Sequence, residues 1–227
     1  MKQLNRSPLF GGLGLEVLDI FVGENLRHFR VYKKLLCAKV PYFQKMFASG
    51  FKEVIEKTVR MPEDDPDAFN QFLEWFYKGA LQPVNIAKET RDGGPLFNRV
   101  KLYRFAEKHC LDVLMDLAIS SIMTCHVKNK SMPNYTSIKY GYPETDTSSK
   151  LRSFMSKALA RILRNQVEGG SWPATDISRL MIDNEELSLD VLRLMRGVAS
   201  QDPLTLPKCT FHVYPTSQTY PYTGDVL

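Results

Sequence analysis

The sequence predicts an α+β fold over its first 125 residues, followed by a helical extension. Three observations carry this. A run of branched and aromatic residues, Val17-Leu18-Asp19-Ile20-Phe21-Val22, stops at the turn signal Gly23-Glu24-Asn25 and resumes as the alternating Phe29-Arg30-Val31-Tyr32, the pattern of a hairpin. A third strand-like stretch, Lys57-Thr58-Val59-Arg60-Met61, stands apart from the first two. Between and after the strands, apolar residues recur at spacings of three and four, the period of an amphipathic helix.

The elements follow in order. Residues 1–15 hold Pro8, Gly11, Gly12 and Gly14 with little periodicity and read as a flexible lead-in. After the hairpin, Lys33 to Lys39 is a short helix carrying Leu35 and Leu36, and Pro41 opens a second through Phe47. Proline is suited to that first position because its missing N–H would have no partner there. Glu63-Asp64-Asp65-Pro66 precedes a helix over 66–78, with acidic groups near the positive helix end. Phe69, Phe72, Leu73, Phe76 and Tyr77 form its core stripe, and Gly79 is its C-cap. Residues 82–97 look like a surface insertion, and two helices follow near 98–109 and 111–125. Residues 126–149 are polar, with Pro133, Gly141 and Pro143, and read as a linker or long loop. A helical extension spans 150–199, and the Pro- and Thr-rich residues 200–227 read as a disordered tail.

Composition excludes several classes. The chain has 227 residues, 44% of them apolar and 24% charged, enough for a real core and unlike a disordered or fibrous chain. Thirty Lys and Arg face 25 Asp and Glu, a net charge of +5. That balance is too even for a dedicated nucleic-acid binder, so no direct nucleic-acid partner is expected. The N-terminus lacks a signal-peptide core, and no apolar run is long enough to span a bilayer. Cys37, Cys110, Cys125 and Cys209 are scattered, as suits reduced thiols of a cytoplasmic or nuclear protein that is not secreted. The sequons at Asn5, Asn129 and Asn134 then read as chance matches.

The quoted segments, in order, resemble a BTB/POZ domain over residues 16–125, with the flavour of fungal members. The family pattern of strand, glycine and strand appears as Asp19 to Tyr32, its lysine–x–leucine helix start as Lys33-Lys34-Leu35-Leu36, and its proline–tyrosine–phenylalanine as Pro41-Tyr42-Phe43. The acidic–proline step and aromatic–glycine helix end appear as Pro62 to Phe69 and Trp75-Phe76-Tyr77-Lys78-Gly79. The tyrosine–x–x–alanine–x–lysine step is Tyr103 to Lys108. Two positions depart from the pattern. Tyr32 stands where a histidine is usual and Val40 where a serine is usual, which leaves the local hydrogen bonds of the first two helices in question.

The resemblance implies a small mixed sheet packed on a cluster of helices and a function by protein–protein contact. Family members commonly dimerise, and many dock on a cullin scaffold to present clients to a ubiquitin ligase. The cullin signature, an apolar residue, any residue and glutamate, corresponds here to Phe51-Lys52-Glu53. Phe51 and Glu53 are therefore the candidate partner-binding residues: a ring to fill a pocket and a charge to align the docking. The plainer alternative packs Phe51 under its loop and leaves Glu53 solvated. The exchanged dimer of long-form members is not expected in full, since only 15 residues precede the first strand; another homodimer or a monomer stays open. An adaptor linked to a cullin is the first functional reading, and a scaffold or transcription-linked oligomerisation protein without cullin binding is the alternative.

Other signals have plainer explanations. Gly11-Gly12-Leu13-Gly14 precedes a strand rather than opening a helix, so it is not a phosphate cradle. His109-Cys110 and Cys125-His126 lack the close ligand spacing of structural zinc. Glu63, Asp64, Asp65 and Asp67 read as helix-capping carboxylates. No nucleophile motif marks an enzyme, so no catalytic residue, metal or cofactor is expected. Lys150, Lys157, Arg161 and Arg164 form a basic stripe on the helix around 151–167. It would suit an anionic surface or a partner groove, or it is simply the polar side of a packed helix.

Overall fold

A computed structural model describes residues 16–48, 57–85, 93–143, 145–165, 172–197 and 202–214. The lead-in 1–15 and its glycines, Phe51 and Glu53, and the tail beyond 214 lie outside the described residues. The chain divides into two compact units, Met1–Phe69 and Asn70–Leu227.

The first unit is built on a three-stranded mixed sheet. Strands β1 (Val17–Val22) and β2 (Arg27–Tyr32) pair antiparallel, while β3 (Thr58–Met61) pairs parallel to β1 on its other side, giving the order β2-β1-β3. The register runs from Val17 opposite Tyr32 to Val22 opposite Arg27, and from Asp19 beside Thr58 to Val22 beside Met61. Side chains alternate across a strand, so Leu18, Ile20 and Val22 share one fully buried face with Val31 of β2 and Val59 and Met61 of β3. Burying a side chain of this kind stabilises by about 1.5–3 kcal/mol. The hairpin turn needs Gly23 at φ +77°, a conformation that glycine adopts without a Cβ penalty.

Helices α1 (Lys33–Lys39) and α2 (Pro41–Ala48) follow β2. Their junction reflects both departures from the family pattern. Tyr32 occupies the N-cap of α1 without a side-chain cap bond and stays exposed. Val40 is fully buried, and its backbone bonds to both helices: its N–H donates to Leu36 O at 2.9 Å and its carbonyl accepts from Gln44 N at 3.1 Å. Apolar packing thus stands at Val40 where a polar group is usual, while Tyr32 faces solvent.

Helix α3 (Pro66–Lys78) begins where the acidic cluster predicted. Asp65 is its cap, with Oδ1 accepting from the amides of Asp67 at 3.0 Å and Ala68 at 2.9 Å. Phe69 packs edge-on against Phe29 with ring centroids 4.9 Å apart. At the far end Gly79 has φ +75°, and its N–H donates to Trp75 O at 2.7 Å, the predicted C-cap.

The second unit is helical: α4 (Pro95–Lys108), α5 (Asp112–Asn129), α6 (Tyr135–Gly141), α7 (Lys150–Asn165), α8 (Ala174–Asp183) and α9 (Glu185–Arg196), then a 3-10 turn, Lys208–Phe211. Its core joins Leu102, Tyr103 and Phe105 of α4, Leu114, Ala118 and Ile122 of α5, and Phe154, Met155 and Leu159 of α7.

Three expectations need correction. Helix α4 starts at Pro95, inside the stretch read as a surface insertion, because proline suits the first helical position. Residues 126–149 are not a plain linker: α5 runs on to Asn129, and α6 follows, capped by Asn134 Oδ1, which accepts from Ser137 N at 2.9 Å. Tyr140 of α6 holds it to α4, lying 5.1 Å from the Phe97 ring under the Arg104 guanidinium at 4.4 Å. Finally, residues 202–214 of the expected disordered tail are packed, with Phe211 fully buried.

Candidate interaction surface

Phe51 and Glu53 follow the end of α2 and precede β3 in sequence, outside the described residues. In the first unit the outer sheet face is charged. Asp19 Oδ1 lies 2.6 Å from His28 Nε2 and 3.6 Å from Arg30 Nε; His28 stacks on Phe21 at 4.8 Å, and the Arg60 guanidinium lies 5.5 Å from that ring. Arg27 pairs with Asp67 at 2.9 Å, and Lys33 with Glu16 at 3.2 Å. Tyr32 and Tyr42 are exposed beside Lys34 and Lys45 on α1 and α2. Arg27, Arg30, Lys33, Lys34, Lys39, Lys45 and Lys52 occur with no acidic residue between Asn25 and Lys52. The segment is uninterrupted in the sequence, although the overall balance of charge is nearly even.

The basic stripe of α7 is largely engaged within its own unit. Lys157 Nζ donates to Ser153 Oγ at 2.7 Å and sits over the Phe211 ring; burial, reinforced by Lys150, lowers its pKa. Arg161 pairs with Asp202, and Arg164 donates to Leu194 O at 2.8 Å. Arg152, 5% exposed, bridges α7 to α9 through Glu186 at 2.9 Å and Asp190 at 3.5 Å. It also lies over Tyr142, whose hydroxyl donates to Asp190 at 2.6 Å. Burial opposes the charge of Arg152, but Tyr142, Glu186 and Asp190 outweigh it and its pKa is raised. These bonds favour the packed-helix reading of the stripe.

The extension exposes apolar side chains among its charged ones. Ile182 of α8 is 78% exposed, and Leu189, Leu192 and Met195 form an exposed row along α9 at helical spacing. Ile182 also lines an open concavity with Ala174, Thr175, Ser178 and Arg179. An exposed apolar row on a helix whose opposite side is already buried is a feature of contact surfaces.

One polar cluster brings together the residue types of a catalytic triad. Ser120 Oγ lies 2.7 Å from His212 Nε2, with Asp116 one turn earlier on α5. The Asp116 carboxylate accepts from the amides of Val213 at 2.7 Å and Tyr214 at 3.3 Å, whereas a triad carboxylate orients the imidazole. Ser120 is also only 5% exposed. Burial raises the pKa of Asp116 and lowers that of His212. The bonds the cluster makes tie the C-terminal segment to α5. Of the two His/Cys pairs set aside as zinc ligands, Cys125-His126 has other partners: Cys125 Sγ accepts from Asn129 at 3.6 Å, and His126 Nδ1 lies 3.0 Å from Ser131 Oγ. Among the described residues no group of three or more His, Cys, Asp or Glu could hold a metal, and no helix is long and apolar enough to cross a membrane.

Comparison with known proteins agrees with the fold. The chain is similar to human Kelch-like protein 38, 24% identical over 151 residues, an overlap of 62% of this chain and 25% of that protein. The fungal flavour of the pattern rests on its residues alone. The sequence profile of the BTB/POZ domain matches residues 16–112, which takes in the sheet, α1 to α4 and the start of α5. This chain carries a BTB/POZ domain, a protein-interaction fold, at residues 16–112.

Proposed function

We propose that this chain is a noncovalent adaptor that joins a cullin scaffold to a client protein and catalyses no reaction itself. The observation that carries the proposal is the BTB/POZ match over residues 16–112, together with likeness to a Kelch-like protein. Phe51-Lys52-Glu53, directly after the Pro-Tyr-Phe helix, supplies the aromatic anchor and aligned carboxylate that such docking needs. The exposed row Leu189, Leu192 and Met195 with Ile182 supplies a second apolar surface, suited to a client or to the scaffold's flank. Four free cysteines fit a reducing cytoplasmic or nuclear setting.

The test is capture on a purified cullin N-terminal domain. Wild-type chain should be retained, and Phe51→Ala/Glu53→Ala should lose at least about ten-fold in affinity, as expected for a central anchor. Retention of both to the same extent removes the motif assignment. Failure of both to bind moves the function to a scaffold or oligomerisation role.

A further inference from the structure

The segment 202–214 is attached to the second unit by a compact set of contacts. Phe211, fully buried, meets Phe154 of α7 edge-on at 5.4 Å and lies under Lys157 at 5.8 Å. Beyond it, Asp116 of α5 accepts the amides of Val213 and Tyr214, and His212 meets Ser120. At the near end Asp202 pairs with Arg161. The α5 and α7 sides of this seat adjoin, with His126 stacked on Phe154 at 6.4 Å.

The segment also keeps its shape by its own bonds. Asp202 accepts from Leu204 N through Oδ1 at 2.9 Å and from Thr205 N through its carbonyl at 3.0 Å. Thr210 N donates to Pro207 O at 2.9 Å, and His212 N to Cys209 O at 3.2 Å. A single aromatic anchor beside main-chain amides held by a carboxylate is how proteins read short peptide segments. Asp116, wholly buried, serves this purpose by accepting backbone N–H groups, which makes its part of the recognition independent of side-chain identity.

We propose that α5 and α7 form a docking seat for a phenylalanine-anchored segment, filled in each chain by its own residues 202–214 and able to take the same segment from a second copy. A second copy fits because it carries the identical segment, so exchange recreates every contact above without a newly matched surface. In the wild-type chain the tethered segment competes at an effective concentration on the order of millimolar, which keeps exchange scarce. Weakening the tethered segment exposes the seat.

A labelled peptide of residues 202–214, titrated into the full chain, tests the seat. Phe211→Ala should bind it at least about ten-fold tighter than wild type, and Phe211→Ala/Asp116→Ala should lose that gain. Exchange between copies is read by energy transfer between chains labelled at the N-terminal amine. Phe211→Ala, with seat intact, mixed with Asp116→Ala, with segment intact, should give more transfer than either variant mixed with itself. That comparison separates exchange from dimerisation through any other surface, and neither readout depends on cullin binding. Should Phe211→Ala lose its helical circular dichroism, Phe211→Leu is read in the same way. Equal peptide affinity of wild type and the folded Phe211 variant, or no excess transfer in the mixture, overturns the proposal.

Discussion

Gly23 and Gly79 provide a controlled pair for separating two sources of backbone constraint. Their φ angles are nearly equal, +77° and +75°, but their surroundings differ. A Cβ at Gly23 would stand 2.7 Å from Pro66 Cγ, 3.0 Å from Pro66 Cδ and 3.4 Å from the Asp64 carbonyl, whereas at Gly79 nothing lies within 4 Å. Left-handed backbone costs an alanine about 1–2 kcal/mol at either site. Only at Gly23 is there also a clash with a proline ring that cannot swing aside, worth a further 1–3 kcal/mol or so. Gly79→Ala should therefore destabilise by about 1–2 kcal/mol and Gly23→Ala by about 2–5 kcal/mol. Gly23→Asn refines the comparison, because asparagine tolerates the left-handed region but keeps the clash. Guanidinium unfolding followed by far-ultraviolet circular dichroism measures these losses, with unchanged slopes required for comparison. Hydrogen exchange of β1 and β2 amides checks that the loss at Gly23 is local to the sheet. Equal costs for the two alanine variants would refute the steric argument.

Other perturbations probe the remaining contacts. Asp65→Ala leaves the amides of Asp67 and Ala68 without their carboxylate and should cost about 1 kcal/mol, read from the same unfolding curves. Arg152→Ala removes a buried cation from Glu186, Asp190 and the Tyr142 face. Because Glu186 can rehydrate, the loss should be about 2–3 kcal/mol, below that of a fully buried pair, and Arg152→Lys should not restore it. Burial lowers the pKa of His126 from 6.5 to about 4. The unfolded chain then binds more protons between these values, so the stabilisation is complete above pH 6.5 and declines as pH falls towards 4. Up to about 3 kcal/mol is at stake, and His126→Gln should flatten the pH dependence of the melting temperature across that interval.

The legible parts of this fold are those whose burial has a period. Leu18, Ile20 and Val22 alternate, Phe69, Phe72 and Phe76 recur at helical spacing, and the pattern placed β1 and α3 at their observed positions. Helix α6 has no readable period because much of its buried surface is small, Ser137 and Gly141 around Ile138. Its one local signal was Asn134, a cap that also reads as a sequon. The packed segment 202–214 has no period at all: Phe211 anchors it, local turns shape it, and His212, Val213 and Tyr214 bond to residues far away in sequence. The basic stripe of α7 was legible as a stripe, but its partners Asp202 and Leu194 belong to other elements that composition alone does not bring near. The candidate residues Phe51 and Glu53 rest on motif spacing, which identifies them without describing their surroundings.

The sheet's mixed connectivity has a consequence during synthesis. Val22 can meet Arg27 as soon as the turn has left the ribosome, and hairpins close within about 1–10 microseconds. The opposite edge of β1 must wait for Thr58 to Met61, since β2, α1 and α2 come between them in the chain. At translation rates of roughly 5–20 residues per second, that edge is without its native neighbour for whole seconds, beside the greasy Leu18, Ile20 and Val22. A nascent chain in that condition is a natural client for chaperones and a hazard for sticking to its siblings, so crowded polysomes are where variants of β3 should first reveal themselves.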